Sequence, residues 1–109
     1  MPAVWEPTAK LMLDRRDRFT QPEIAAEFDR YSNQTSELLN NSIVFDTDKA
    51  GYLTPVADRR YSVVWYLEND QPVVHAVVPT ARFTPGSAGL KSRVEQIVRK
   101  ASDDLIKIR

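Results

Sequence analysis

Three arginines stand where two apolar runs of the chain begin and end. Arg59 and Arg60 directly precede a run that starts at Tyr61, and Arg82 follows shortly after a second run over residues 73–78. A guanidinium presents a planar fork of donors that matches phosphate and carboxylate oxygens. We therefore predict that Arg59, Arg60 and Arg82 form a basic rim that holds the phosphates of a partner.

Two tyrosines and the single histidine of the chain are the candidate partner-binding residues near this rim. Tyr61 and Tyr66 have rings on which nucleic acid bases can stack. Histidine is the side chain whose charge ordinarily changes near neutral pH, which suits proton transfer, but strand alternation places His75 on the face opposite to Arg82. We therefore expect His75 to point toward the helices as a partly buried histidine, Trp65 to lie in the core, and Tyr66 to remain available.

Composition narrows the classes of function. The 109 residues carry 15 basic and 15 acidic side chains, so a strong non-specific polyanion binder is not indicated. The charge is uneven, because residues 1–50 carry 6 bases and 9 acids while residues 51–109 carry 9 bases and 6 acids. Cysteine is absent, which excludes disulfides and thiolate zinc sites. We expect no metal and no cofactor.

Neither a membrane span nor a secretory signal is predicted. The apolar runs are far shorter than the roughly 18 residues that a span needs, and the first residues lack the basic and apolar regions of a signal peptide. We therefore expect a cytoplasmic protein with no membrane partner.

Hydrophobic periodicity predicts the elements that position these residues. Helices are expected over residues 8–18 and from Thr20, with Glu23 as its capping-box partner, to about Asn40. A short strand precedes them, an extended piece over residues 43–45 is a further option, and strands follow over residues 52–56, 61–67 and 73–78. The fold class is therefore α+β, a single domain in the order β-α-α-β-β-β. A helical hairpin packs on a small, mostly antiparallel sheet, and a C-terminal helix trails it.

Three segments of the chain resemble the RelE/ParE superfamily of toxins from type II toxin–antitoxin systems. They are Val4-Trp5-Glu6-Pro7-Thr8-Ala9, Tyr61-Ser62-Val63-Val64-Trp65 and Val77-Val78-Pro79-Thr80-Ala81-Arg82. The resemblance covers about residues 3–84 and rests on the order and spacing of elements. It implies that residues 1–109 form one RelE/ParE-like toxin domain, neutralised by a cognate antitoxin. The implied target is translation, through ribosome-dependent mRNA cleavage, or DNA gyrase.

The same resemblance assigns the catalytic residues of an RNA-cleaving member, if the chain is an enzyme. Such a metal-independent endoribonuclease would use Arg82, which matches directly, with Arg60 and Arg59 as further charge stabilisers. Three residues depart from the basic pattern of the family, namely Leu53, Pro55 and Ser62, and the aromatic expected beyond Arg82 falls near Ala88. These departures favour gyrase inhibition, or a degenerate and weakly active toxin, over cleavage. The alternative is a non-catalytic protein-binding module on the same scaffold.

The C-terminal helix has an apolar stripe that allows two interpretations. Leu90, Val94, Ile97, Val98, Ala101 and Leu105 share one face. We expect this stripe to cover the sheet of its own chain. The alternative is that it offers an edge to an antitoxin segment or to a second copy in a homodimer.

Overall fold

The strands of the computed structural model form one mixed sheet within the residues that it describes, 3–83 and 89–107. The strand order is β1-β5-β4-β3-β2, with β1 parallel to β5 and the other neighbours antiparallel. The strands are β1 (Val4–Trp5), β2 (Ile43–Asp46), β3 (Gly51–Val56), β4 (Tyr61–Glu68) and β5 (Gln71–Pro79). The helices are α1 (Pro7–Asp14), α2 (Thr20–Ser32), α3 (Thr35–Asn40) and α4 (Leu90–Lys107), with a short 3-10 helix at Thr80–Arg82.

The α+β class is confirmed, and both faces of the sheet are covered. On one face α2 and α3 bury Ile24, Phe28 and Leu38 against Trp65 and other sheet residues. On the opposite face α4 buries Val94 and packs the rest of its apolar stripe. The stripe therefore covers the chain's own sheet, as expected. This explains why β4 carries apolar side chains at almost every position instead of alternating with polar ones.

Helix α1 lies at the β1–β5 side of the sheet and contributes to both cores. Ala9 joins the core under α2, whereas Met12 joins the core under α4. The predicted first helix therefore ends earlier, at Asp14, and Arg15 to Phe19 form the connection to α2.

The start of α2 differs from the predicted capping box. Thr20 is the first helical residue, and its backbone N–H and hydroxyl both donate to the carboxylate of Asp17, at 2.9 and 2.7 Å. These hydrogen bonds hold the pKa of Asp17 below its usual value. Glu23 pairs instead with Arg60. Asp17 replaces the predicted cap because its carboxylate accepts from the backbone N–H groups of Phe19 and Thr20 at the start of the helix.

The predicted long second helix is broken into α2 and α3. The hydroxyl of Ser32 donates to the carbonyl of Asp29 at 3.0 Å, and Gln34 takes an extended backbone before α3. The optional extended piece over residues 43–45 is a strand, β2, at the edge of the sheet.

Two hairpin turns of the meander use left-handed backbone without glycine. Asn69 and Asp70 both have positive φ and join β4 to β5 in the pattern of a type I′ turn. Ala57, Asp58 and Arg59 have φ of 52°, 56° and 65° between β3 and β4.

Within residues 3–83 and 89–107, no helix has both the length and the apolar character that a membrane crossing requires.

Candidate anion-binding site

The three arginines of the predicted rim do not form one surface. Arg60 turns toward α2, where its Nη2 lies 2.9 Å from Oε2 of Glu23 and its Nε donates to the carbonyl of Ala57. Arg59 lines a separate polar cleft beside α2 and α3. Arg82, at the end of the 3-10 helix, lines a groove on the α4 side. The predicted continuous rim was therefore wrong, because the β3–β4 turn directs Arg59 and Arg60 away from Arg82.

The groove that contains Arg82 is built by α1, the end of β5 and α4, and we call it the α1–α4 groove. Its volume is about 290 Å³. Arg15, Arg16 and Arg82 supply three positive charges and Asp104 one negative charge, so the balance is 3 − 1 = +2. The remaining lining residues are mostly apolar: Met12, Val77, Val78, Pro79, Ile97, Ala101 and Leu105.

Arg16 is the half-buried cation of this groove. Its guanidinium lies 5.1 Å from the ring centroid of Tyr61, an arrangement that favours the charged group electrostatically. Its Nε is buried and finds no hydrogen-bond acceptor among the described residues. A buried donor without an acceptor costs free energy. An anion in the groove would form charge-assisted hydrogen bonds with the arginines that line it. Tyr61 thus supports a cation instead of presenting an open ring.

Arg15 and Arg16 were not predicted as site residues. The run Asp14-Arg15-Arg16-Asp17-Arg18 looks like the solvated face of a longer helix. The helix ends at Asp14, however, and Arg15 is its C-cap, which brings the two arginines to the groove. The run of charged residues was a signal in the sequence. It could not predict the groove, because the groove depends on where α4 packs.

His75 lies on the opposite face from the predicted one. A β-bulge between β4 and β5 leaves His75 unpaired, since Val64 pairs with Ala76 and Trp65 with Val74. A bulge inserts one residue and reverses the alternation. His75 therefore points toward α4, with its ring 4.6 Å from that of Tyr66.

The histidine is held between two carboxylates. Its Nδ1 lies 2.6 Å from Oε1 of Glu6, and its buried Nε2 lies 3.6 Å from Oε2 of Glu68. His75 precedes the end of β5 at Pro79 by four residues, roughly 13 Å of strand, and Arg82 follows beyond that. The imidazole therefore lies at the middle of β5, whereas Arg82 lies beyond the end of that strand.

Tyr66 is also far from the arginines. It pairs with Gly51, whereas Tyr61, next to Arg60, pairs with Val56 at the other end of β4. Its ring packs edge-on against Phe45, with 5.6 Å between the centroids. Burial raises the pKa of the Tyr66 hydroxyl, and the negative charges of Asp46 and Glu95 raise it further. The expectation that Tyr66 stands free beside the basic rim was wrong, because α4 covers this face.

The groove has the chemistry of anion binding more than of proton transfer. Besides its arginines, Asp104 is the titratable group among its lining residues, and the imidazole lies elsewhere.

Three of the positions that depart from the family pattern lie in the sheet: Leu53 and Ser62 are buried and Pro55 is half-buried. Ala88 falls outside the described residues. Within the described part of the chain, no group of three or more metal-ligating side chains is present.

Comparison of the chain with protein-family models, with curated proteins and with solved structures finds no match.

Proposed function

We propose that this chain is the toxin of a toxin–antitoxin module and that it arrests growth by binding its target through the α1–α4 groove, without cleaving RNA. The observation that carries the proposal is the placement of Arg15, Arg16 and Arg82 around an apolar groove at a distance from His75. The order of the elements, in which a strand and helices precede an antiparallel meander, supports the RelE/ParE-like scaffold.

The groove suits an acidic target better than it suits a cleavage reaction. Cleavage through the RNA 2′-hydroxyl needs a base, a stabiliser of the developing charge and an acid. The arginines supply the stabiliser, but the imidazole that would transfer protons near neutral pH packs against Tyr66 and Glu6. DNA gyrase is therefore the proposed target in preference to ribosome-bound mRNA. Such a target and a cognate antitoxin would place the chain in the cytoplasm.

Expression of the chain in a bacterial host without an antitoxin tests this proposal. Growth arrest is expected, and Arg82→Ala combined with Arg15→Ala should relieve it. Arg18→Ala is the matched control, because Arg18 belongs to the same segment and is exposed but does not line the groove. Normal growth at high soluble expression of the unmodified chain would overturn the toxin assignment.

The mode of action is tested separately. Loss of negative supercoiling in a reporter plasmid, with intact transcripts in primer extension, is the expected result. The opposite result would be cleavage of ribosome-bound transcripts that persists in the His75→Gln variant and vanishes in the Arg82→Ala variant. The chain would then act by cleaving RNA at the same groove instead of by binding alone.

A non-catalytic protein-binding module is the second candidate. It is favoured by the edge strand β2, on which Ile43 and Val44 are 56 and 43 % exposed. An uncovered edge with apolar side chains is a ready site for pairing with another chain. Normal growth together with antitoxin-independent binding of a host protein, abolished by Val44→Lys, would favour this candidate.

A further inference from the structure

A second cleft lies at the β2 edge of the sheet and shares no lining residue with the α1–α4 groove. Its volume is about 620 Å³. It lies between α2, the end of α3 and the β3–β4 turn, and we call it the turn cleft. Its lining residues are mainly polar: Glu27, Arg30, Tyr31, Asn40, Asn41, Ser42, Ile43, Pro55, Asp58 and Arg59.

The turn that forms one wall of this cleft is conformationally costly. Ala57, Asp58 and Arg59 all have φ between 52° and 65°, the left-handed region that glycine adopts most easily. Side chains at three consecutive such positions cost free energy, and strain of this kind concentrates at functional sites. Asp58 and Arg59 are both exposed and both line the cleft.

Two contacts with α2 hold the turn in this conformation. The backbone N–H of Ala57 donates to Oε1 of Glu27 at 3.0 Å. Arg60 donates through Nε to the carbonyl of Ala57 and pairs with Glu23. Arg59 is therefore presented from a fixed backbone, which lowers the entropy that ligand binding would cost.

The polar groups of the cleft divide into those already satisfied and those available. Glu27 is engaged through both oxygens, since Oε2 accepts a hydrogen bond from the hydroxyl of Tyr31 at 3.3 Å. The guanidinium of Arg30 lies 5.3 Å from the Tyr31 ring centroid and keeps its donors exposed. The cleft carries two guanidinium groups and two carboxylates, so its charge balance is 2 − 2 = 0. Because both oxygens of Glu27 already accept hydrogen bonds, the guanidinium donors of Arg30 and Arg59 are the charged donors left to a ligand, and they suit a phosphate.

The rest of the lining suits a planar ring with polar edges. Ile43 and Pro55 supply apolar surface, and the exposed amides of Asn40 and Asn41 lie beside them. The side-chain nitrogen of Asn41 donates to the carbonyl of Glu37, so its Oδ1 is oriented as an acceptor. Paired donors and acceptors at the edge of an apolar surface are the chemistry that recognises a nucleobase.

We propose that the turn cleft binds a nucleoside monophosphate unit, with the phosphate at Arg59 and Arg30 and the base against Pro55 and Ile43. The amides of Asn40 and Asn41 contact the edge of the base. This site goes beyond the proposed toxin function, because it uses different residues and neither site requires the other.

Calorimetric titration of the full chain with AMP, GMP, CMP and UMP tests the proposal, with inorganic phosphate as the reference probe. At least one nucleotide should bind tighter than phosphate. Arg59→Gly should weaken that binding about tenfold or more, as expected for the loss of a charge-assisted contact. Glycine removes the guanidinium but suits the positive φ, so loss of folding would not explain the effect. Arg18→Ala, which removes an exposed arginine that lines neither cleft, should leave the affinity unchanged.

Three results would overturn the proposal. The first is the absence of nucleotide binding at millimolar concentration, and the second is binding that Arg59→Gly leaves intact. The third is binding no tighter than that of inorganic phosphate, since base contacts would then contribute nothing. Growth arrest is not a readout of this experiment, so its outcome is independent of the toxin proposal.

Discussion

The indole Nε1 of Trp65 donates a hydrogen bond to Oγ1 of Thr54 at 2.7 Å inside the core under α2. Both residues have no exposed surface. The hydroxyl of Thr54 also lies 2.6 Å from that of Ser42, which in turn contacts the carbonyl of Leu38. This chain of hydrogen bonds joins the meander to the end of α3, so the two layers are connected by polar as well as apolar contacts.

Thr54→Val should therefore destabilise the protein although the two side chains are nearly equal in size. The substitution leaves the Trp65 N–H buried without an acceptor, at a cost of about 1–3 kcal/mol. Urea denaturation followed by tryptophan fluorescence measures the change. Thr47→Val is the matched control on an exposed threonine. Equal midpoints for the two variants would contradict the assigned role of Thr54.

Gly51 is required by the close approach of two aromatic rings. A Cβ at this position would lie 2.8 Å from Cζ of Phe45 and 2.8 Å from Cε1 of Tyr66. Gly51→Ala should lower the free energy of unfolding by about 1–3 kcal/mol, because the packed rings must move. The double variant Gly51→Ala with Phe45→Leu should lose less than the sum of the single changes. Strict additivity in thermal unfolding would exclude the clash.

The sheet core was predictable from sequence because apolar runs and turn residues dominate it. The β4 run from Tyr61 and the apolar stripe of α4 are long periodic signals, and tertiary packing reinforces them. The position of His75 was not predictable, since a single bulge residue reverses strand alternation without any composition signal. The α1–α4 groove was equally hidden, because Arg15 and Arg16 meet Arg82 only through the packing of α1 and α4.

Arg60 and Arg82, which sequence analysis grouped together, should respond differently to substitution. Arg60 links the β3–β4 turn to Glu23 on α2, and this pair is about half exposed, so Arg60→Ala should cost about 1 kcal/mol or less. Arg82→Ala should leave stability nearly unchanged but weaken growth arrest. Thermal unfolding and a growth assay on both variants measure the two effects. A stable, inactive Arg60→Ala variant would return Arg60 to the functional surface.

Tyr66 should make the protein sensitive to alkaline pH. Its pKa is raised above the ordinary value of 10.0 in the folded chain, mainly by burial. As the pH rises past 10, the unfolded chain loses the phenolic proton before the folded chain does, so unfolding is favoured. The free energy of unfolding therefore falls between pH 10 and the pKa of Tyr66 in the folded chain, and this group does not change it below pH 10. Urea midpoints at pH 8 and pH 11 should differ less in Tyr66→Phe than in the unmodified chain. If the midpoint changes by the same amount in both proteins, other groups govern the loss of stability at alkaline pH.

Substitutions in the two left-handed turns should separate an effect on stability from an effect on nucleotide binding. Asp58→Gly and Asp70→Gly each place glycine at a positive φ, of 56° and 63°, and each should stabilise the protein by about 1 kcal/mol. Asp70 lies in the β4–β5 turn, away from the turn cleft, so its substitution should leave nucleotide affinity unchanged. Asp58 lines the cleft, and the loss of its negative charge should tighten the binding of all four nucleotide phosphates. If both variants gain stability and both bind the nucleotides as tightly as the unmodified chain does, then Asp58 has no role in the cleft. The positive φ of Asp58 would then have an explanation other than ligand binding.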